Sequence, residues 1–282
     1  MDACACLAEL SRAGFQIVDC QPLAAAYADS THQVYRLVDA KGRVYALKQS
    51  QRASSPFWHQ LRCLFGFDLA IESMFLPAQV ERLNSMGGLP VAVCLAVGTE
   101  AASDSSYQLN AWYDGASVAA SAIKLPMVQQ LAAHMAALHR HESDYWGTFR
   151  SPAFSAARWW SSLVRCVPDA VDLVAVLPVP KAFVPWMADL RWDQFLHDGQ
   201  SLSVLVDAEA FVYAPKALDF VLLEYLLTAE QLGWWRDAYV AAGGEMPTIA
   251  QERLVYRQLL WSMQVLGEVP AEIWYQQPMF FN

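Results

Sequence analysis

The 282-residue chain contains no CxxC pair and no histidine at a zinc-site spacing, which argues against the common structural metal centres. Its cysteines, Cys4, Cys6, Cys20, Cys63, Cys94 and Cys166, are scattered, a pattern that predicts reduced, buried thiols in a cytoplasmic protein. A Lys/Arg cluster is also missing. With a formal net charge of −9, the chain is a poor candidate for nucleic acid as a main partner. That acidic balance fits a cationic substrate, and it fits plain solubility equally well. No apolar run reaches the length of a membrane span. The richest, "AVDLVAVLPVP" at 170–180, is broken by Pro178 and Pro180. The opening "MDACACLAEL" carries Asp2 and Glu9 with no basic region, so a secretory leader is not expected. Charged residues are only 17% of the chain and hydrophobic ones 55%, which leaves ample material for a core and no sign of disorder.

What is present divides into two parts. Residues 4–14 predict a short helix ending at Gly14, and "HQVYRLVDAKGRVYALKQS" predicts a hairpin. His32–Asp39 and Arg43–Gln49 alternate in polarity about the turn "AKGR". A helical stretch follows, interrupted at Gly66 and Pro77 and ended by Gly87-Gly88, and then two strand-like segments reach Tyr113. After Gly115 helical spacing dominates, beginning with Met127–His141. We therefore expect an α+β fold of two lobes: a small antiparallel sheet lobe over 1–113 and a mainly helical lobe over 114–282, with a cleft between them.

Four features carry chemistry. They are the polar turn "ADST" with Ser30 and Thr31, the strand "YALK" ending at Lys48, the loop Asp189–Gln194, and the buried-type strand "SVLVD" delivering Asp207. Singly, each has an ordinary reading. Lys48 is a strand-end lysine, Asp189 a turn carboxylate and Asp207 a cap or ion-pair partner. Together and in this order they match what phosphoryl transfer needs: amides and a lysine on phosphates, one carboxylate as base, another with an amide on Mg2+.

The residues "MADLRWDQ" and "VLVDAE" resemble the catalytic loop and the metal-binding strand end of the aminoglycoside phosphotransferase and choline kinase-like family, small-molecule kinases with a protein-kinase-like fold. "LHRHESDYWG", "YAPKALDFVLLEY", "STHQVYRL…YALK" and "NAWYDGASV" resemble further segments of it, so the likeness covers roughly residues 15–230. It implies an ATP- and Mg2+-dependent phosphotransferase acting on a hydroxyl of an aminoglycoside-, choline- or sugar-like molecule. Asp189 would be the catalytic base, Asp207 and Gln194 the metal ligands, and Lys48 the phosphate-binding cation. Ser30, Thr31 and the backbone at Asn110 and Trp112 would meet the nucleotide, and Asp219 would brace the catalytic loop. The helical glutamate paired with Lys48 would be Glu72 or Glu81; Glu72, on the face one turn before the family position, is the favoured one.

The departures are equally specific. Met187 and Ala188 stand where the family has His and Gly, Gln194 replaces Asn, and the 28–31 turn has no glycine. Those substitutions define an alternative, a catalytically silent kinase-like protein that binds a nucleotide or partner in a regulatory role. A protein kinase proper is disfavoured, because Asp207 and Asp219 are only twelve residues apart and leave little room for a peptide platform. Glu209 is expected at the surface. His139 and His141 are expected to serve the helix dipole, and Trp159–Trp160 to serve packing.

Overall fold

Local signals set the first elements of the chain. In the computed structural model, which describes residues 3–24, 32–50, 55–100 and 105–281, helix α1 (Ala3–Arg12) leads into five strands. These are β1 (Ile17–Pro22), β2 (His32–Asp39), β3 (Val44–Ser50), β4 (Cys94–Glu100) and β5 (Ser105–Ala111). They form an antiparallel sheet in the order β1-β2-β3-β5-β4. The β2–β3 turn is tied by Asp39, whose carboxylate accepts from the Lys41 and Arg43 amides at 2.9 Å each. Arg43 Nε at 2.7 Å and the Tyr45 hydroxyl at 3.0 Å donate to its other oxygen.

Between β3 and β4 run helices α2 (Pro56–Phe65), α3 (Leu69–Ser73) and α4 (Leu76–Ser85). Ser55 caps α2 at the Trp58 amide, Pro56 sits in its first turn, and Gly66 ends it at φ 68°. Asp68 then caps α3 at the amides of Ala70 and Ile71.

The second lobe contains α5 (Leu125–His139), α6 (Trp159–Cys166), α7 (Val171–Val174), α8 (Ala217–Leu226), α9 (Ala229–Ala241), α10 (Arg253–Met263) and α11 (Ala271–Tyr275). Its short strands are β6 (Ala116–Ser117), β7 (Tyr145–Thr148), β8 (Pro152–Ser155), β9 (Val184–Met187), β10 (Phe195–His197), β11 (Leu202–Leu205) and β12 (Phe211–Ala214). They make two small sheets, β11-β10-β6 and β8-β7-β12-β9.

The apolar core has two parts. A small one lies between α1 and the sheet: Cys6, Leu10, Leu37, Tyr45, Leu47, Tyr107 and Leu109. The large one joins the helical lobe to α2 and α4 through Leu61, Phe65, Leu76 and Leu83, around the fully buried Trp146, Trp159 and Trp186. The lobes are stitched where Ala92 N donates to Leu205 O at 2.8 Å and Leu205 N donates to Pro90 O at 2.9 Å. Among the described thiols, Cys6 and Cys94 are buried as expected. Cys63 on α2 is exposed, and its Sγ lies 2.8 Å from that of Cys166 at the end of α6. Among the described residues no helix is long and apolar enough to cross a membrane.

Candidate active site

Two loops leave strands of different sheets and are locked together by backbone. Asp189 follows β9, Asp207 follows β11, and between their loops Ala188 N donates to Ala210 O at 3.0 Å and Val206 N to Gln194 O at 2.9 Å. A 3-10 turn at Trp192–Gln194 lets the first loop fold back, and the Trp192 indole anchors it to Leu226 O at the end of α8. Sequence-distant carboxylates therefore reach one place because their backbones are mutually bonded.

Onto this pair β3 brings Lys48. Its Nζ lies 2.6 Å from Asp207 Oδ2 and 3.0 Å from Glu209 Oε1. Burial works against the ammonium, but the charges of Asp207 and Glu209 outweigh it and push its pKa above the ordinary lysine value. Glu209 is buried, contrary to the surface position expected for it. His32 Nε2 from β2 lies 3.3 Å from its second oxygen, and Gln108 Nε2 from β5 donates to its first. Although burial opposes ionisation, Lys48 and His32 hold its carboxyl far below the usual range. Gln79 on α4 donates to Ala208 O and pins the turn between Asp207 and Glu209.

Asp189 is set apart electrically. Burial, and then the charge of Asp207, push its pKa up to about 7 despite Arg191 and Lys48. Its Oδ1 is buried with no hydrogen-bond partner. The Gln194 amide lies between the two aspartates. In one orientation its nitrogen donates to Asp189 Oδ2 at 3.3 Å. In the other it donates to Asp207 Oδ2 at 3.0 Å while the amide oxygen accepts from Arg191 Nη2 at 3.2 Å. Arg191 also pairs with Asp193 at 3.3 Å.

Lys48, Asp189, Gln194 and Asp207 are thus brought together, and Glu72 is not with them. Its carboxylate is held by Arg150, with Nη2 at 3.3 Å and Nε at 3.5 Å, and that guanidinium also lies 4.1 Å over the Phe75 ring. The expected Glu72–Lys48 pair is therefore replaced by Lys48–Glu209, because a cation from the helical lobe reaches Glu72 first. Asn110 lies inside β5, flanked by Ala46 and Cys94, so the strand runs out only after it. Trp112 follows, its indole donating to Asp114 at 2.9 Å, with Arg36 5.6 Å over its ring. Ser30 and Thr31 lie outside the described residues.

Asp219 is buried and meets helix α5, rather than the loop it was expected to brace. His139 Nε2 lies 2.9 Å from its Oδ2, and the Tyr239 hydroxyl lies 2.7 Å from His139 Nδ1. His139 is therefore an internal link between α5, α8 and α9, and not a residue answering the helix dipole. Sequence reasoning did not find Gln79, Gln108, His32 or Arg150. The one available signal was polar residues in otherwise apolar helix and strand patterns, which gives no partner.

Carboxylate and amide oxygens are the donors a hard cation such as Mg2+ takes, usually one or two from protein and the rest from phosphate and water. Among the described residues no group of three or more His, Cys, Asp or Glu could hold a metal by itself. Asp207 and the Gln194 amide suit a cation that arrives with a nucleotide's phosphates, and the unpartnered Asp189 oxygen is left for an acceptor.

No family model and no curated relative matches the chain. Solved structures do. A macrolide 2'-phosphotransferase from Brachybacterium faecium aligns with a TM-score of 0.63 at 14% identity, over 98% of this chain and 99% of that one. An amicoumacin kinase in complex with AMP-PNP, Ca2+ and Ami aligns with a TM-score of 0.59 at 15% identity, over 96% and 90%. A spectinomycin phosphotransferase in complex with ADP and its antibiotic aligns with a TM-score of 0.59 at 13% identity, over 93% and 86%. The chain has their two-lobed, kinase-like α+β fold.

Proposed function

We propose that this protein transfers a phosphoryl group from Mg2+-bound ATP to a hydroxyl of a small molecule. The observation that carries the reading is the meeting of Lys48, Asp189, Gln194 and Asp207 in one cleft, with separations of 2.6–3.3 Å between partners. Asp189, poised near neutrality, accepts the proton of the incoming hydroxyl and orients its oxygen. Lys48 neutralises phosphate oxygens from the sheet side. Asp207, with the Gln194 amide beside it, is the ligand set for Mg2+, and the ion, when bound, offsets charge building on the phosphates. The fold neighbours act on macrolide, amicoumacin and spectinomycin, so hydroxyl-rich or amino-bearing small molecules are the class to try.

The test is ATP consumption and phosphate transfer screened against aminoglycosides, macrolides, amino-alcohols and sugars. With the right acceptor, Asp189→Asn should lower turnover about 10²- to 10⁴-fold; turnover that survives this substitution removes the base assignment. The second reading, a silent nucleotide- or partner-binding regulator, is favoured by one observation: Lys48 sits directly on Asp207, where a metal would bind. A melting titration separates the two. Stabilisation by ATP that requires Mg2+ supports the enzyme, and stabilisation without Mg2+, or none, supports the regulator.

A further inference from the structure

We propose that Glu209 is the positioning residue for Lys48, in the place that a helical glutamate was expected to fill. The inference rests on the phosphotransferase reading above and deepens it. Lys48 has two carboxylates within 3.0 Å, Asp207 and Glu209, and only one of them can serve once a divalent cation arrives. A cation on Asp207 repels an ammonium 2.6 Å from the same carboxylate, so Lys48 must give that contact up. A buried lysine that loses its counter-ion pays a desolvation penalty with nothing to offset it. Glu209 supplies the counter-ion without any rearrangement, its Oε1 already 3.0 Å from Nζ.

Two further observations make Glu209 the anchor. It is itself fixed, by Gln108 from β5 and His32 from β2, so three adjacent strands of the sheet lobe close on this one carboxylate from the helical lobe. Glu72, the alternative, is occupied by Arg150 on both oxygens. Lys48 therefore turns about Glu209, leaving Asp207 to the metal and moving toward the phosphates, and the lobes stay clasped while it does so.

The experiment compares Glu209→Gln with Glu72→Gln, both isosteric, with folding checked by circular dichroism. Labelling of Lys48 by an amine-reactive ester, quantified by peptide mass spectrometry, needs no nucleotide. Glu209→Gln should raise it about tenfold over wild type and Glu72→Gln should raise it far less. Gln108→Met, which removes one of the two side chains that fix Glu209 and keeps its charge, should fall between them. If Glu209→Gln does not fold, the order Gln108→Met above Glu72→Gln still decides. Equal labelling in all variants, or a larger rise in Glu72→Gln, overturns the inference. The dissociation constant for Mg2+ with AMP-PNP, measured by calorimetry, should weaken at least tenfold in Glu209→Gln. If wild type binds no nucleotide, the phosphotransferase reading falls, while the labelling order still decides whether Glu209 holds Lys48. Unchanged affinity in a wild type that binds overturns the inference alone.

Discussion

The sheet lobe and the helical lobe bury polar groups in different ways. Away from the cleft, buried charges of the helical lobe are closed within that lobe. Glu224 takes Arg257 at 2.8 Å and Arg253 at 3.3 Å, and its other oxygen caps the amides of Phe280 and Phe281. The Asp219–His139–Tyr239 chain is likewise complete within helices. In the sheet lobe one face is apolar against α1, with Leu47, Tyr107 and Leu109, and the alternating residues Lys48, Gln108 and Asn110 are buried polar groups on the other. That second face finds its main partner in Glu209 across the cleft. Internal closure marks a structural network, and closure across a cleft marks a site.

The comparison can be broken or sharpened in order of effect. Removing a ring from the shared core should be the costliest change: Trp186→Ala should destabilise by about 3–5 kcal/mol, read from chemical denaturation, because the ring is fully buried against Phe65. A loss well under 1 kcal/mol would mean the large core does not depend on it. Next, Arg257→Met leaves Arg253 as the one cation on the buried Glu224 carboxylate and should cost roughly 3 kcal/mol. The double change with Glu224→Leu should cost less than the sum of the two single changes, as a closed network requires.

Third, Asp189→Asn should stabilise the protein, with a sign set by linkage. The folded-state pKa of about 7 lies above the ordinary value, so the native state holds a proton that the unfolded state has released, and stability falls as pH rises between the two. The variant should therefore melt roughly 5 °C higher than wild type at pH 8 and about the same at pH 4. A difference that grows toward acid would contradict the charge crowding described above.

How much of this was readable in the sequence follows from range. The β2–β3 hairpin was legible because its turn chemistry and alternation are local, and the strands run His32–Asp39 and Val44–Ser50 against an expected start of the second at Arg43. Helix α5 was legible for the same reason, with its end two residues earlier than expected. The interruption expected at Gly66 is a left-handed cap that ends α2. The order of Lys48, Asp189 and Asp207 gave the fold. It could not give the partners. Glu72 and Arg150 are 78 residues apart, and Lys48 and Asp207 are 159 apart, so neither pairing leaves a periodic trace. Glu209 was misjudged because one acidic residue after a strand reads as solvated unless the facing sheet is known. Asp219 was misjudged because its histidine lies 80 residues away on another helix.

The placement of tryptophan gives the molecule a built-in optical reporter. Trp146, Trp159, Trp186 and Trp235 are all fully buried on the helical side, and the core beneath α1 contains no indole at all. Intrinsic fluorescence will follow chiefly the loosening of the helical side, with Trp58 and Trp112 the two indoles before residue 114.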